Sequence, residues 1–173
     1  MAYTFFKASG GQIGNSLCED SEFESVKEML KTAENRGVKL LLPVDSLAGA
    51  EFSNEGDPVL VNSGAIPNGK MALDIGPQAV KAFTDEIASA KTIVWNGPMG
   101  VFEFSKYAEG TRAVAQAIAD SSAVSIIGGG DSAAAVRKFG LEDKITHIST
   151  GGGASLEFME GKVLPGIDCL LDS

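Results

Sequence analysis

Residues 125–135 read Ser-Ile-Ile-Gly-Gly-Gly-Asp-Ser-Ala-Ala-Ala and give the clearest indication of the architecture. A short apolar run stops at three glycines, and an alanine-rich segment follows. This order predicts a buried strand, a tight turn and a helix start. Glycine allows positive φ and close approach of a ligand, and a helix start offers unpaired N–H groups with a partial positive charge. The stretch predicts an anion site for phosphate; a plain strand-to-helix turn, which needs only one glycine, is the alternative.

Strand and helix patterns alternate around this stretch. Short apolar runs predict strands at residues 92–95, 123–127 and 146–149. Helical spacing of apolar side chains predicts helices at residues 107–120 and 132–139. Such alternation is typical of a parallel sheet with helices on both faces. We therefore predict an α/β fold, a three-layer, doubly wound, mostly parallel sheet of the Rossmann-like kind, in one domain over residues 1–173.

The first part of the chain contains further strand patterns. Residues 3–6 are predicted as a short strand and residues 59–62 as a small extra one. Residues 38–43 are almost continuously apolar, which predicts a strand covered on both faces. Residues 46–58 are polar and are predicted to form an irregular connection.

Two further helices are predicted from their end signals. Ser21 and Glu24 have the spacing of a capping box, and Gly37 follows as a C-terminal stop. Pro77 occupies the favoured first-turn position of the next helix. Both segments carry apolar side chains at helical spacing, so each helix is expected to bury one face.

Composition limits the classes of partner. The chain has 173 residues and a formal net charge of −9, from 23 acidic and 14 basic side chains. Because no basic cluster is present, no nucleic-acid partner is expected. No apolar run approaches the roughly 18–20 residues of a membrane span, so no membrane partner is expected either. Cys18 and Cys169 lack metal-site spacing, which favours a reducing cytoplasm, with an organelle as the alternative.

Ligands of an open parallel sheet bind beyond the carboxyl ends of its strands. Three predicted strand ends carry unusual loops, at residues 95–103, 128–132 and 149–153. Two of these loops are triple-glycine turns entering helices, so two helix starts at one edge are expected to hold one polyphosphate. The glycine pattern also fits a dinucleotide fingerprint, but the acid expected at the end of the next strand is absent. No P-loop pattern is present.

Two acidic side chains lie in these loops. Asp131 follows a glycine turn and suits Mg²⁺, which binds one or two carboxylates together with phosphate oxygens; capping of its own helix is the alternative. Ser132 is expected to bond a phosphate oxygen or to serve as that cap. Glu103 suits the hydroxyls of a ribose, or is a solvated surface acid.

The three loops contain no Lys or Arg, and Lys106 is the nearest basic residue. Phosphoryl transfer depends on cations set against the charge of the moving group. The sequence therefore predicts the backbone part of a phosphate site without its cationic part. Such a chain either only binds its ligand or relies on catalytic groups elsewhere.

Three longer motifs contain the loops described above: Trp95-Asn-Gly-Pro-Met-Gly-Val-Phe-Glu103, Ile127-Gly-Gly-Gly-Asp-Ser132 and His147-Ile-Ser-Thr-Gly-Gly-Gly-Ala-Ser-Leu-Glu157. Shorter motifs accompany them at Leu42-Pro-Val-Asp45, Leu73-Asp-Ile-Gly-Pro77 and Met1-Ala-Tyr-Thr-Phe5. Together these motifs closely resemble phosphoglycerate kinases. The resemblance implies the nucleotide-binding C-terminal domain of a two-domain kinase. That enzyme transfers a phosphoryl group between 1,3-bisphosphoglycerate and ADP in glycolysis, with ATP or ADP and Mg²⁺ bound.

The resemblance also implies roles for individual residues. Those expected to line the adenine pocket are Ala72, Leu73, Pro98 and Val101. Those expected around ribose and phosphates are Glu103 for the ribose, Asn96, Gly129, Gly130 and Ser132 for the phosphates, and Asp131 for Mg²⁺. The N–H groups of Gly128 and Gly151 are expected at the transferring phosphoryl group.

The chain departs from the family pattern before its first residue. The substrate-binding N-terminal domain and the first part of the nucleotide-binding domain would precede Met1, so the sheet is expected to be truncated at its N-terminal side. We therefore expect weak nucleotide binding, no turnover, and pairing with the missing part of the enzyme or self-association through a bare sheet edge. A non-catalytic folding fragment or interaction module is the alternative.

Overall fold

The structure is a computed structural model that describes residues 1–149 and 151–170. The chain divides into two compact units. Unit 1 comprises Met1–Glu86 and Met99–Val114, and unit 2 comprises Ile87–Pro98 and Ala115–Ser173. Helices and strands alternate along most of the chain, so the predicted α/β class is confirmed.

The elements from the N-terminus to residue 75 are α1 Ala2–Ala8, β1 Gln12–Ile13, α2 Phe23–Asn35, β2 Asp45–Gly49, β3 Val59–Asn62, β4 Ala65–Ile66 and β5 Met71–Ile75. The remaining elements are α3 Pro77–Ser89, β6 Thr92–Asn96, α4 Glu109–Asp120, β7 Val124–Gly128, α5 Gly130–Lys138, β8 His147–Ile148, α6 Gly152–Met159 and α7 Pro165–Asp168. Short 3-10 turns lie at Asp20–Glu22, Ser105–Tyr107 and Glu142–Lys144.

Unit 1 contains two small sheets. Strands β3, β2 and β5 form an antiparallel sheet in that order, and β1 pairs with β4 in parallel. Polar groups are buried with partners beneath the sheet: Ser46 Oγ lies 3.0 Å from the hydroxyl of Tyr3 and 2.6 Å from Ser63 Oγ. Such pairing removes the cost of burying an unpaired hydroxyl.

Unit 2 contains one parallel sheet with the order β6-β7-β8. Trp95, Ile127 and Val136 are buried in this unit, whereas Val94 on the alternate face of β6 is 43% exposed. Because neighbouring residues of a strand point to opposite faces, one face of the sheet is packed and the other is more open. The predominance of parallel strand pairs agrees with the predicted mostly parallel sheet.

Two strand predictions in unit 1 are wrong. Residues 3–6 belong to helix α1, whose Phe5 is buried; a short aromatic run does not distinguish a helix from a strand. Residues 38–43 form no strand, because no strand of the described chain pairs with them. Val38, Leu40 and Leu41 are exposed there instead of being covered on both faces.

Two turn predictions are also wrong. The connection predicted from residue 46 begins with strand β2, in which Asp45 and Ser46 are buried and hydrogen-bonded. The capping box is absent: Glu22 precedes α2 without a side-chain cap, and Ser21 Oγ donates to Glu19. The other predicted helices and strands are confirmed within a few residues. Among the described helices, none is both long and apolar enough to cross a bilayer.

Candidate functional site

The first triple-glycine turn joins β7 to α5 in unit 2. Gly128 ends β7 and lies in register with Asn96 at the end of β6. Gly129 occupies the N-cap of α5 with φ of +86°, a conformation that glycine adopts without strain. No side chain caps this helix, so its first N–H groups have no side-chain acceptor at the cap position.

The second triple-glycine turn leads into α6, and the two turns contact each other. A Cβ at Gly152 would lie 2.7 Å from the Cα of Gly129, which leaves room only for glycine. Gly151 is the N-cap of α6, again without a side-chain cap, and its N–H donates to Ser149 Oγ. Residue 150 of this turn lies outside the described part of the chain. The structure therefore brings together the two turns that the sequence predicted as one site.

Asn96 at the end of β6 packs against the first turn, and Ser132 in α5 binds the loop after β6. Asn96 Oδ1 would lie 2.9 Å from a Cβ at Gly129, so its side chain packs directly on the turn. Ser132 is fully buried, and its Oγ accepts the N–H of Gly97 at 2.6 Å. Ser132 thus holds the loop after β6 and is not the cap of α5.

Asp131 is exposed in the first turn of α5, and Gly129 rather than Asp131 occupies the cap. One exposed carboxylate beside uncapped N–H groups fits a Mg²⁺ ion that also binds phosphate oxygens. Within residues 1–149 and 151–170, no group of three or more His, Cys, Asp or Glu side chains forms an all-protein metal site. A metal at Asp131 would therefore take most of its oxygens from a bound ligand or from water.

A cavity of about 400 Å³ lies in unit 2. Its polar lining includes Asn96, Gly128, Ser149 and Gly151, and its apolar lining comes from β6, β7, α6 and α7. The first glycine of each turn therefore borders a concave surface of unit 2, the kind of surface that ligands occupy.

Unit 1 holds four of the five residues that the resemblance assigns to the adenosine, namely Ala72, Leu73, Val101 and Glu103. The N–H of Val101 donates to the carbonyl of Leu73 at 2.8 Å, which brings the end of β5 next to the loop at residues 99–103. Leu73 is buried, Ala72 and Val101 are half-buried, and Glu103 is exposed. Pro98 belongs to unit 2, where it follows Gly97 and is half-buried.

Lys106, the basic residue nearest to these loops in sequence, is engaged inside unit 1. Its Nζ donates to the carbonyl of Gly56 and lies 3.6 Å from Asp57 Oδ1. The side chain is therefore held by the loop at residues 56–57.

The sequence reasoning assigned no function to two buried carboxylates of unit 1. Asp45 accepts the N–H groups of Gln78 and Ala79 at the start of α3. Asp74 accepts the N–H of Gly110, at the start of α4, at 2.8 Å. Asp45 ends the motif that begins at Leu42, and Asp74 follows Leu73 in the motif that ends at Pro77. An acid directly after an apolar run was the sequence signal that could have identified them.

Burial dominates the electrostatics of Asp74, which is 1% exposed. It raises the pKa of this carboxyl to about 6, and the charge of Glu109 adds to the increase. The N–H groups of Gly110 and Ile75 act in the opposite direction because they stabilise the ionised form.

Comparison with known proteins identifies the family. The family model described as phosphoglycerate kinase matches residues 1–162. The chain is 59% identical to the phosphoglycerate kinase of Clostridium novyi (strain NT) over 172 residues, which is 99% of this chain and 43% of that protein. It is 57% identical to that of Clostridium tetani (strain Massachusetts / E88), with the same coverage. The chain thus spans less than half the length of these relatives.

Solved structures agree with this result. The phosphoglycerate kinase of Coxiella burnetii matches with a TM-score of 0.92 and 45% identity, over 96% of this chain and 43% of that one. The enzyme of Pyrococcus horikoshii OT3 matches with a TM-score of 0.79 and 33% identity, over 98% and 43% of the two chains. From the family match, the identities and the shared fold, the chain belongs to the phosphoglycerate kinase family.

Proposed function

We propose that this chain is the nucleotide-binding part of a phosphoglycerate kinase. The reaction of such an enzyme transfers a phosphoryl group from 1,3-bisphosphoglycerate to ADP and gives 3-phosphoglycerate and ATP. By itself, the chain is proposed to bind Mg²⁺–nucleotide weakly and to have no measurable turnover. The contact between the two uncapped glycine turns in unit 2 is the observation that carries this proposal.

In unit 2, the proposed ligand groups are the phosphates. The N–H groups at the starts of α5 and α6 donate to phosphate oxygens, with Gly129, Gly130 and Ser132 at the first turn. Gly128 and Gly151 are assigned to the phosphoryl group in transfer, and the N–H of Gly151 would then exchange its bond to Ser149 Oγ for one to the ligand. Asn96, packed on the first turn, orients its side-chain amide towards the phosphates.

Asp131 is the proposed ligand of Mg²⁺. When bound, the ion would neutralise part of the phosphate charge. Asp131 contributes a carboxylate oxygen at the helix start, and the exposure of its side chain leaves it accessible to such an ion.

In unit 1, the proposed ligand group is the nucleoside. Ala72, Leu73 and Val101 present half-buried and buried apolar surface to adenine, and Glu103 accepts hydrogen bonds from the ribose hydroxyls. Pro98 of unit 2 is also assigned to adenine. The prediction of one partial nucleotide-binding domain over residues 1–173 stays a prediction.

Low activity is proposed because the loops lack cations. No Lys or Arg occurs at residues 95–103, 128–132 or 149–153, and Lys106 is held by Gly56 and Asp57. Without cations set against the charge of the moving phosphoryl group, its transition state loses a large part of its electrostatic stabilisation. The missing cations, and the 3-phosphoglycerate site, are assigned to the rest of the enzyme in the cytoplasm.

A titration with MgADP tests nucleotide binding. Backbone amide signals of the 173-residue chain are followed by nuclear magnetic resonance up to millimolar nucleotide. We expect saturable shifts at Gly128–Gly130 and Gly151, and at least a threefold weaker affinity for Asp131→Asn, because a ligand of the ion is lost. Asp143→Asn, an exposed acid in the Glu142–Lys144 turn, is the matched control and should bind as the unaltered chain does.

The absence of shifts at millimolar MgADP would contradict nucleotide binding and favour the folding-fragment alternative. A coupled assay of ATP formation tests the second clause. Turnover at the level of an intact family member, by the isolated chain, would contradict the proposed inactivity.

Self-association is a further part of the proposal. Strand β6 is at one edge of the described β6-β7-β8 sheet, and unpaired edges template association. We expect light scattering to detect a rise in average mass with concentration, and Val94→Lys to reduce it. A strictly monomeric chain at millimolar concentration would contradict this part alone.

A further inference from the structure

Asp74 is a buried carboxylate that the proposed binding roles leave unused. It follows Leu73 at the end of β5 and accepts the N–H groups of Gly110 and Ile75, at 2.8 and 2.9 Å. A buried carboxylate is costly unless hydrogen bonds compensate for lost water. Its placement at the start of α4 supplies such compensation, since that helix start has N–H groups to donate.

Two glycines pack directly against this carboxylate. A Cβ at Gly100 or at Gly110 would lie 2.3 Å from Asp74 Oδ1. At Gly100, the same Cβ would also lie 2.6 Å from the carbonyl oxygen of Leu73. The strand, the helix start and the loop at residues 99–103 therefore meet at Asp74 with no room for a side chain.

Thr111 holds the same loop from the helix. Its buried Oγ1 accepts the N–H groups of Met99 and Gly100, at 3.1 and 3.2 Å. The next N–H, that of Val101, donates to the carbonyl of Leu73. Thr111 and the carbonyl of Leu73 thus fix three consecutive backbone N–H groups of the loop.

We propose that Asp74 and Thr111 are positioning residues for nucleotide binding, which fix the loop at residues 99–103 before an adenine nucleotide arrives. The inference rests on the proposed function, because Val101 and Glu103 of that loop are the groups assigned to adenine and ribose. A loop already ordered spends less binding free energy on ordering when the ligand binds. Loosening it should therefore weaken MgADP binding, by about threefold to tenfold.

Thr111→Val is the sharpest test, because it keeps the shape and removes the acceptor. Thr111→Ser keeps the hydroxyl and should restore binding. Thr4→Val is the matched control: Thr4 is also buried in unit 1, and its Oγ1 accepts the N–H of Glu19. Asp74→Asn adds a second variant, which keeps the shape of the side chain but loses one of two acceptor oxygens.

Two measurements are made on the full chain at a temperature where every variant is folded. The first is the dissociation constant for MgADP. The second is hydrogen exchange of the amides of Met99, Gly100 and Val101. We expect Thr111→Val and Asp74→Asn to weaken MgADP binding and to speed exchange of these amides about tenfold, whereas Thr111→Ser and Thr4→Val leave both nearly unchanged.

The outcomes separate this inference from the proposed function. Unchanged MgADP binding and exchange in Thr111→Val would overturn the inference while nucleotide binding stands. Faster exchange with unchanged affinity would overturn it too, because Thr111 would then only stabilise the fold. If the unaltered chain binds no MgADP, the proposed function fails. In that case, unchanged exchange of the Met99, Gly100 and Val101 amides would overturn the inference as well. Faster exchange of these amides, confined to Thr111→Val and Asp74→Asn, would still support the fixation of the loop.

Discussion

The starts of α3 and α4 in unit 1 differ from the starts of α5 and α6 in unit 2. In unit 1, Asp45 accepts N–H groups at the start of α3, and Asp74 accepts one at the start of α4. In unit 2, the N-cap residues of α5 and α6 are Gly129 and Gly151, and neither helix has a side-chain cap. The first pair of helix starts is closed by the protein's own carboxylates, and the second pair is the one to which we assign phosphate.

A shared device makes this difference informative. The third residue of α4 is Thr111 and the third residue of α5 is Ser132, and each hydroxyl accepts backbone N–H groups from a loop. Both helices therefore fix a loop, but Asp74 accepts an N–H group at the start of α4, whereas the start of α5 has no side-chain cap. Carboxylates at the starts of α3 and α4 balance the partial positive charge there. We therefore assign these two helix starts a structural role and no phosphate.

Among the variants that test this difference, Gly100→Ala should lower the free energy of unfolding the most. The new Cβ would meet Asp74 Oδ1, Asp74 Cα and the carbonyl oxygen of Leu73 within 2.6 Å, and two of these atoms are backbone. We expect the free energy of unfolding to fall by about 3 kcal/mol or more, measured by urea denaturation. Gly64→Ala is the control within unit 1, because its Cβ would have only ordinary contacts from 3.5 Å. Equal losses in the two variants would show that Asp74 imposes no special packing.

The pH dependence of stability should be the next largest effect. The pKa of Asp74 is raised to about 6 in the folded chain, so the folded state binds this proton more tightly than the unfolded state. The resulting stability is present below about pH 4 and is lost as the pH rises to about 6. It amounts to between about 2 and 3 kcal/mol, since one pKa unit corresponds to about 1.4 kcal/mol. Asp74→Asn should remove this dependence, measured as the difference from the unaltered chain in urea denaturation across that range.

Asp120 in unit 2 supplies a control of opposite sign. Hydrogen bonds from Gln116 and Lys144 lower the pKa of this exposed carboxyl. Its contribution is therefore present above pH 4 and lost as the pH falls through the lowered pKa. Asp120→Asn should make the stability rise less with pH in that acid range. If Asp74→Asn and Asp120→Asn changed the pH dependence in the same direction, burial would not be the cause at Asp74.

The same contrast explains which parts could be predicted from the sequence. The glycine turns of unit 2 are local, because strand, turn and helix follow one another in the chain, and the pattern around Gly128 predicted them. The closed helix starts of unit 1 are not local: Asp45 reaches Ala79 across 34 positions and Asp74 reaches Gly110 across 36. The spacing of apolar residues along the sequence does not predict hydrogen bonds between residues so far apart.

Strand prediction failed for a related reason. Residues 38–43 have the composition of a buried strand, but a strand exists only where another strand bonds to it, and none of the described strands does. In β2, the polar residues Asp45 and Ser46 suggested a connection, whereas their hydrogen-bond partners lie far along the chain. The pattern of a single sequence reports composition and spacing. Pairing partners distant in the chain decided whether residues 38–43 and β2 form strands.

Gly152→Ala should have a moderate effect in unit 2. Its Cβ would lie 2.7 Å from Gly129 Cα, so the two glycine turns must separate. We expect a loss of about 1 to 2 kcal/mol in the free energy of unfolding and no measurable MgADP binding. Gly153→Ala is the matched control in the same helix, because its Cβ would meet no atom within 4 Å. It should be neutral or slightly stabilising. MgADP binding by Gly152→Ala at normal strength would mean that the contact between the turns is not needed.

Ser132→Ala should have the smallest effect on stability, because it removes one hydrogen bond, that from the N–H of Gly97. A typical bond of this kind contributes about 1 kcal/mol, and Gly97 is only half-buried, so water replaces part of the loss. Ser125→Ala is the control: this buried serine of unit 2 accepts the N–H of Thr146 and has no assigned contact with nucleotide. Urea denaturation should give similar losses for the two variants, while MgADP titration should detect weaker binding only for Ser132→Ala. Equal weakening in both would mean that Ser132 acts through general stability, and the parallel between its hydroxyl and that of Thr111 would then hold for structure but not for binding.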